Sequence, residues 1–128
     1  MIDYQDARRI AGVLAAVGEP TRLWVLYRLT RGPHHVGRMA ELVGIPMVNL
    51  SHHLGVLRQA GLIEDARDGR RVVYSLRPDV YAPGGGPGVL GTLTTGELKI
   101  VLLDAPAPGL DGVVTRRPTG RRKSRRGE

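Results

Sequence analysis

The stretch "VGRMAELVGIPMVNLSHHLGVLRQAG", residues 36–61, has the apolar spacing of two helices separated by a short turn. In its first part four apolar residues recur at helical intervals: Val36, Met39, Ala40 and Val43. Gly44 follows the last of them, where a glycine commonly ends a helix. We therefore expect a short helix here, after which the chain restarts almost at once at Ile45 and Pro46.

The second helix is predicted from about Pro46 to Ala60, and Gly61 ends it. Its apolar stripe is Leu50, Leu54 and Leu57. At 100° per residue, a largely polar or small set falls on the opposite face: Val48, Ser51, His52, Gly55 and Gln59. A short helix, a turn and a second helix with such an outer face form a helix-turn-helix, whose second helix can enter a DNA major groove about 12 Å wide.

Two β-prone runs, "LIEDA" and "RVVYSL", follow and are joined through residues 67–70. Asp68-Gly69 between such runs is a strong signal for a β-hairpin. Arg67, Arg70 and Arg71 give this hairpin a basic tip. Strand alternation is expected to send Arg70 and Arg71 to opposite faces. The hairpin is therefore predicted to be a wing beside the second helix.

Two further helices are predicted at the N-terminal end. The first has an apolar stripe of Ile10, Val13, Leu14 and Val17 and stops at Gly18. The second begins near Pro20, which the first turn of a helix tolerates, and ends before Gly32. His34 and His35 then precede the short third helix, and we expect them to lie in a solvated loop rather than to bind a metal.

Beyond Pro78 the sequence changes character, and "YAPGGGPG" is interpreted as a linker. Two short apolar runs around "TTG" suggest a second hairpin over residues 89–103. A helix from Gly96, capped by Thr94 and Glu97, also fits the spacing, but Ile100, Val101 and the nearby glycines favour strands.

The predicted fold class is therefore α+β. Residues 1–82 are predicted to form a winged helix-turn-helix domain, residues 83–104 a C-terminal β-hairpin extension that could serve in dimerisation, and residues 105–128 a disordered basic tail.

The formal charge of +7 is concentrated in that tail. Residues 113–128 hold seven arginines and lysines against one glutamate, a net charge of +6, whereas residues 1–112 carry only +1. Such a tail predicts loose, salt-sensitive attraction to phosphates. A purely solubilising end has the same composition, so the tail alone does not identify a nucleic-acid-binding protein.

Several function classes are disfavoured by what the 128 residues lack. There is no cysteine, which excludes disulfides, thiolate metal sites and a cysteine nucleophile. No run of about 18 apolar residues could cross a bilayer, and the N-terminus does not resemble a secretory signal, so we expect a cytoplasmic protein without a membrane partner. Phosphate-binding loops, metal-ligand patterns and paired carboxylates with a reason to meet are also missing. We predict no enzymatic activity, no catalytic residue, no metal site and no cofactor.

Residues 6–76 resemble the ArsR-like winged helix-turn-helix repressors of bacteria. The segments that carry the resemblance are Pro20-Thr21-Arg22-Leu23, Ser51-His52-His53-Leu54, Val56-Leu57-Arg58, Gly61-Leu62 and residues 70–76. The resemblance implies a homodimer that binds an operator and commonly leaves it when an inducer binds. The sequence departs from the family in lacking the paired cysteines of its metal sensors, in being glycine-rich after Tyr81, and in having residues 89–103 where a last dimerisation helix is expected.

The helix-turn-helix and the wing together predict the DNA-binding residues, which are Val48, Asn49, Ser51, His52, Arg58, Arg67, Arg70 and Arg71. On the helix, His52 can donate to a base edge or phosphate, Asn49 suits adenine, and Val48 suits a thymine methyl group. His53 lies 100° further round the helix, and we expect it to pack near the core. A shared metal ion is unfavourable for these two histidines, because adjacent residues of a helix do not face the same way.

The leading hypothesis is a sequence-specific, dimeric transcriptional repressor that binds an inverted repeat in double-stranded DNA, with no inducer identified. The alternatives are a winged-helix protein-interaction module with non-specific nucleic-acid binding through its tail, and a sequence-independent nucleic-acid binder driven by the tail alone.

Overall fold

The structure is a computed structural model, and it describes residues 1–107. The predicted disordered tail lies almost wholly outside the described residues. The N-terminal part contains α1 (Tyr4–Val17), α2 (Pro20–Leu29), β1 (His34–His35), α3 (Val36–Val43), α4 (Met47–Gln59), β2 (Ile63–Asp68) and β3 (Arg71–Leu76). The C-terminal part contains β4 (Tyr81–Pro83), β5 (Val89–Thr95) and β6 (Leu98–Leu103). No helix among the described residues is both long and apolar enough to span a bilayer.

The helix-turn-helix forms as the sequence predicts, and the α+β winged fold is confirmed. Gly44 ends α3 in the left-handed conformation with φ 79°, which glycine adopts without steric cost. After a two-residue connection through Ile45 and Pro46, α4 begins at Met47. Leu50, Leu54 and Leu57 are all fully buried. They hold α4 against the rest of the core.

The wing is the antiparallel pair β2 and β3, and its turn is displaced by one residue from the predicted position. Asp68 still pairs with Arg71, so the two-residue loop is Gly69-Arg70 rather than Asp68-Gly69. Gly69 has φ 64°, the conformation that a tight hairpin turn of this length requires.

His34 and His35 do not lie in a solvated loop, contrary to the prediction. They form β1, which pairs antiparallel with β3 and completes a sheet of order β1-β3-β2. Both side chains are half-buried, and the Nδ1 atom of His34 lies 2.7 Å from the carbonyl oxygen of Gly32. This strand could not be predicted from the sequence, because two residues are too few to display a strand pattern.

The predicted C-terminal hairpin forms as β5 and β6, and the alternative helix does not. The prediction of a linker before this hairpin is partly wrong. Tyr81–Pro83 forms β4, which pairs with β5 in a second sheet of order β4-β5-β6. The phenol of Tyr81 donates a hydrogen bond to the Leu90 carbonyl oxygen (3.0 Å), and its ring lies where a Cβ on Gly91 would be. The predicted boundary between the winged helix-turn-helix domain and the C-terminal extension, at residues 82 and 83, falls inside β4 and stays a prediction.

The second sheet shares the core of the helices. Leu93 and Leu102 are almost fully buried and belong to the same apolar cluster as Val13 and Leu26. At the surface, the Arg9 guanidinium of α1 donates to the Glu97 carboxylate in the turn between β5 and β6 (2.6 Å). The extension is therefore attached to the helical part by apolar packing and by this ion pair.

The predicted stripe of α1 is only partly correct. Val13 and Ala16 are the buried residues of the helix, whereas Leu14 is 48% exposed. Tyr4, which is also exposed, lies about 80° from Leu14 around α1 at 100° per residue, and neither is on the buried side of the helix. An apolar strip of α1 therefore faces solvent in the single chain.

Candidate nucleic-acid interface

The outer face of α4 presents the side chains that the sequence predicts. Val48 is 75% exposed, and Asn49, Ser51 and His52 are exposed beside it. Because the leucine stripe is buried on the other side, rotation of α4 about its axis would expose core residues. The polar and small side chains of this face are therefore presented in a fixed orientation.

His52 and His53 have different surroundings, as predicted. His52 is exposed, whereas the His53 side chain is only 19% exposed and its Nδ1 atom lies 3.1 Å from an Arg22 guanidinium nitrogen. Arginine has no acceptor atom, so the His53 ring nitrogen is the acceptor in this contact. No cluster of three metal-ligating side chains occurs within residues 1–107. The absence of a metal site remains a prediction.

Arg22 connects three helices, and this role was not predicted from the sequence. Its Nε donates to the Ala16 carbonyl oxygen (2.6 Å), and a terminal nitrogen donates to that of Ala15 (3.3 Å). These carbonyls lie in the last turn of α1, where a positive charge is favourable for the helix dipole. The third contact reaches His53 on α4. Arg22 thus helps to fix the outer face of α4 relative to α1 and α2.

Glu19 completes this network from the start of α2. Its carboxylate accepts the backbone N–H of Arg22 (2.9 Å) as the N-cap of the helix, and it lies 3.7 Å from the His53 Nδ1. In the sequence, the segment Pro20-Thr21-Arg22 indicated the start of a helix. It did not indicate which distant groups Arg22 would contact.

The three wing arginines are exposed, but they point in different directions. Arg70 lies in the turn at the tip. Arg67 pairs with Val72 and Arg71 pairs with Asp68, so alternation places Arg67 and Arg71 on opposite faces of the wing. Strand alternation had predicted that Arg70 and Arg71 would lie on opposite faces. Arg70 instead lies in the turn, and the two arginines on opposite faces are Arg67 and Arg71. A terminal nitrogen of Arg71 lies 3.2 Å from the Nε2 of His35, which holds Arg71 against β1.

Arg58 lies at the end of α4 and pairs with Asp65 at the base of the wing (3.4 Å). Its side chain is 53% exposed, so it can still meet a phosphate. The ion pair also joins α4 to β2, so Arg58 has a structural role in addition to the proposed phosphate contact. Of the predicted set, Val48, Asn49, Ser51 and His52 share the α4 face, Arg67, Arg70 and Arg71 are on the wing, and Arg58 lies between the two groups.

Comparison with known proteins supports the helix-turn-helix fold. The family model of the helix-turn-helix domain matches residues 17–66, which include α2, α3 and α4 but not α1 or the second sheet. The HTH-type transcriptional regulator NmtR of Mycobacterium tuberculosis is 43% identical over 75 residues, which are 59% of this chain and 62% of NmtR. The transcriptional repressor SdpR of Bacillus subtilis is 40% identical over 68 residues, 53% of this chain and 76% of SdpR.

Solved structures agree with the sequence matches. NolR from Sinorhizobium fredii is 36% identical, with a TM-score of 0.56, and the match covers 59% of this chain and 76% of NolR. A protein described as an ArsR family transcriptional regulator is 28% identical, with a TM-score of 0.54 and coverage of 62% and 79%. The matches to these curated relatives leave more than a third of this chain unmatched, and the chain spans less than two thirds of the length of NmtR. The match of the family model ends at residue 66, before β3 and the second sheet.

Proposed function

Because the chain belongs to the ArsR-like family of winged helix-turn-helix transcriptional regulators, we propose that it binds a specific DNA operator and represses transcription. The observation that carries the proposal is the exposed outer face of α4, fixed by three buried leucines and flanked by a basic wing. This role requires no chemistry on a substrate, so the protein is not an enzyme in this proposal.

On DNA, α4 lies in the major groove with Val48, Ser51 and His52 toward the base edges. Asn49 lies nearer the side of this face and contacts a base or a phosphate. Arg70, at the tip of the wing, reaches the adjacent backbone or minor groove, while Arg67 and Arg58 meet phosphates. Arg71 contributes less, because His35 already accepts one of its donors.

We further propose that two copies bind as a homodimer to an inverted repeat. The exposed apolar strip of α1, which includes Tyr4 and Leu14, supports an interface there, because association would remove these side chains from water. A two-fold arrangement would place two α4 helices in successive major grooves, about 34 Å apart. The C-terminal extension is the second candidate for this interface.

The alternative is a protein-interaction module, and the specific observation that favours it is the exposed side of the second sheet. Val101 on the edge strand β6 is 48% exposed, and apolar edge strands commonly pair with another chain. A stoichiometric protein partner in the absence of any preferred DNA site would favour this alternative.

The test is selection of bound duplexes from a random pool, followed by titration of the selected site and a scrambled duplex at two salt concentrations. The double variant His52→Ala with Arg70→Ala should lose discrimination between the two duplexes, by about 1–3 kcal/mol for each specific base contact removed. Lys99→Ala with Arg8→Ala is the control, because both residues are exposed outside α4 and the wing. Full discrimination in the His52 and Arg70 double variant would refute the assignment.

A further inference from the structure

Strand β6 lies at the free edge of the second sheet and differs from the other three edge strands of the described residues. β1 has two residues, and β4 has three and ends in Pro83, which lacks an N–H. β2 has six residues, of which four are charged. Short strands, prolines and charges are the usual protection of a sheet edge against pairing with another chain. β6 has six residues, five of them apolar, so its protection is limited to Lys99.

The backbone groups of Lys99 point away from β5. Thr94 is the residue opposite Lys99, and its N–H donates instead to the carbonyl oxygen of Val80, beside β4 (2.9 Å). Residues opposite each other in an antiparallel pair alternately exchange both hydrogen bonds or none. The pair of Thr94 and Lys99 is of the second kind, so the N–H and C=O of Lys99 face the free edge.

Val101 and Leu103 repeat this orientation, because alternation along the strand turns their N–H and C=O groups to the same edge. At the end of β6 the Asp104 N–H donates inward to the Gly88 carbonyl oxygen (3.0 Å), which agrees with an outward-facing Leu103. Apart from the ladder to β5, no backbone hydrogen bond within residues 1–107 involves Lys99, Val101 or Leu103. The free edge therefore offers donors and acceptors at these three positions.

We propose that β6 pairs antiparallel with β6 of a second copy of this chain, which joins the two three-stranded sheets into one of six strands. Val101 lies opposite Val101 on the two-fold axis, and Lys99 of each copy lies opposite Leu103 of the other. Each of these pairs exchanges two hydrogen bonds, so every outward backbone group of the three residues is satisfied. The pairing rests on the homodimer of the proposed function and assigns its interface to a strand.

The side chains of β6 fit this register. Ile100 and Leu102 belong to or pack against the apolar core cluster, whereas Lys99 and Val101 are exposed. Because opposite residues have the same parity, the core-facing sides of both sheets stay on one side and the two Val101 side chains meet on the other. Contact between them removes from water the side chain that is 48% exposed in the single chain.

Charge favours a second copy in the antiparallel direction. Lys99 is the one charged residue of β6. In this register the two Lys99 residues are about 13 Å apart along the strands, beyond the screening length of about 8 Å at physiological salt. Each lies one residue from the exposed Asp104 of the other copy, and Asp104 has no ion-pair partner within the part of the chain that the structure describes. Parallel pairing in register would instead place the two lysines side by side.

Single cysteines test the register, because the chain has none of its own. In a hydrogen-bonded antiparallel pair the two Cα atoms are about 5.5 Å apart, within the range of about 4.4–6.8 Å that a disulfide spans. Under mild oxidation of the full chain without DNA, Val101→Cys should form a disulfide-linked dimer at least tenfold faster than Lys99→Cys, the matched control on the same strand. Equal rates for the two variants would overturn the antiparallel register.

Charges on the two-fold axis test the pairing without a covalent bond. Val101→Asp and Val101→Lys each place two like charges opposite one another, so each should weaken self-association at least tenfold in sedimentation equilibrium. An equimolar mixture of the two variants should recover association to within a few-fold of the wild type, because aspartate then faces lysine. Association that is unchanged in the single variants, or a mixture no stronger than either variant alone, would overturn the proposal.

Ala82→Asp is the matched control for the charged variants. Ala82 is exposed on the same row of the sheet, since it pairs with Thr92 and Thr92 pairs with Val101, but it lies on the opposite edge strand β4. Its self-association should equal that of the wild type. Circular dichroism should show that all variants are folded. Equal weakening by Ala82→Asp would assign the interface to the face of the sheet and overturn the edge pairing.

The outcomes separate this interface from the proposed function. A wild-type chain that stays monomeric at all concentrations would overturn the strand pairing, including the case in which another protein occupies β6. If the cross-linking and mixing results are as expected but no duplex is preferred, the proposed function fails while the pairing stands. If a duplex is preferred and the Val101 variants dimerise normally, the proposed function stands and the pairing is wrong.

Discussion

Replacing Arg22 tests whether one side chain holds the recognition helix α4 against α1 and α2. Arg22→Gln removes the charge and the donor fork that now reaches the carbonyls of Ala15 and Ala16 and the ring of His53. Glutamine is too short and has too few donors to reproduce three contacts on two other helices. Two carbonyls of α1 and the His53 acceptor would then have to find water in a half-buried site.

The magnitude follows from these contacts. Hydrogen bonds to charged groups contribute about 1.5–3 kcal/mol each in buried sites. Arg22 is only half-buried, one of its contacts is long at 3.3 Å, and water can replace part of the loss. We therefore expect the free energy of unfolding to fall by about 2–3 kcal/mol in total, out of roughly 5–15 kcal/mol for a typical domain.

The assay is urea unfolding followed by circular dichroism at a fixed protomer concentration, because dimer formation would make the midpoint depend on concentration. With a slope of about 1–3 kcal/mol per molar urea, the midpoint should fall by about 1 M or more. Arg8→Gln, an exposed arginine on α1, is the control and should change stability by less than about 0.5 kcal/mol. Arg22→Lys should be intermediate, since it keeps the charge without the fork.

Equal stability of Arg22→Gln and Arg8→Gln would refute this reasoning. A second readout is affinity for the selected duplex, measured below the denaturation range. It should fall in Arg22→Gln even though Arg22 does not belong to the proposed DNA contacts, because α4 would lose its tie to α1.

Three other perturbations test separate parts of the fold. Leu54→Ala should cost about 2–5 kcal/mol in urea unfolding, because Leu54 is fully buried, whereas Val48→Ala, on the exposed face of the same helix, should stay within about 0.5 kcal/mol; similar losses would contradict the assigned orientation of α4. Gly91→Ala should lower the melting temperature far more than Gly12→Ala, since a Cβ at Gly91 would overlap the Tyr81 ring and one at Gly12 meets open space; a stable Gly91→Ala would place the β4-β5 register in doubt. Burial raises the pKa of the Tyr81 phenol above its usual value of 10.0, so its contribution to stability is fully present below that pH and is lost as pH rises through the folded-state value. Unfolding measured from pH 8 to 11.5 should therefore show a steeper alkaline loss in the wild type than in Tyr81→Phe, and parallel curves would contradict this assignment.

The helix-turn-helix could be predicted because its determinants are local. The spacing of Leu50, Leu54 and Leu57 specifies one buried face, and Gly44 and Gly61 mark the ends of two helices through backbone conformations that other residues adopt at a cost. The exposed outer face of α4 follows from the same periodicity, which is why the four proposed contacts on that helix share one surface.

Contacts between residues that are distant along the chain could not be predicted in the same way. β1 has only two residues, and β4 has three and follows Pro78, so neither carries a pattern of its own; each exists because a neighbouring strand offers hydrogen-bonding groups. Leu14 fits a helical apolar stripe, yet it is exposed because α1 contacts the core along a narrower face than its composition suggests.

The sequence by itself determined the four helices, the β-hairpin wing and the positive net charge of the chain. Apolar periodicity, the glycines that end helices and the type of each residue are properties of a few neighbouring positions, so they can be recognised without the tertiary structure. Only the tertiary structure decided what Arg9, Arg22 and Arg58 do. Arg22 lies 31 residues from His53 along the chain and Arg9 lies 88 residues from Glu97. Packing of the helices and of the second sheet brings such groups within hydrogen-bond distance, and no local pattern in the sequence encodes which groups will meet.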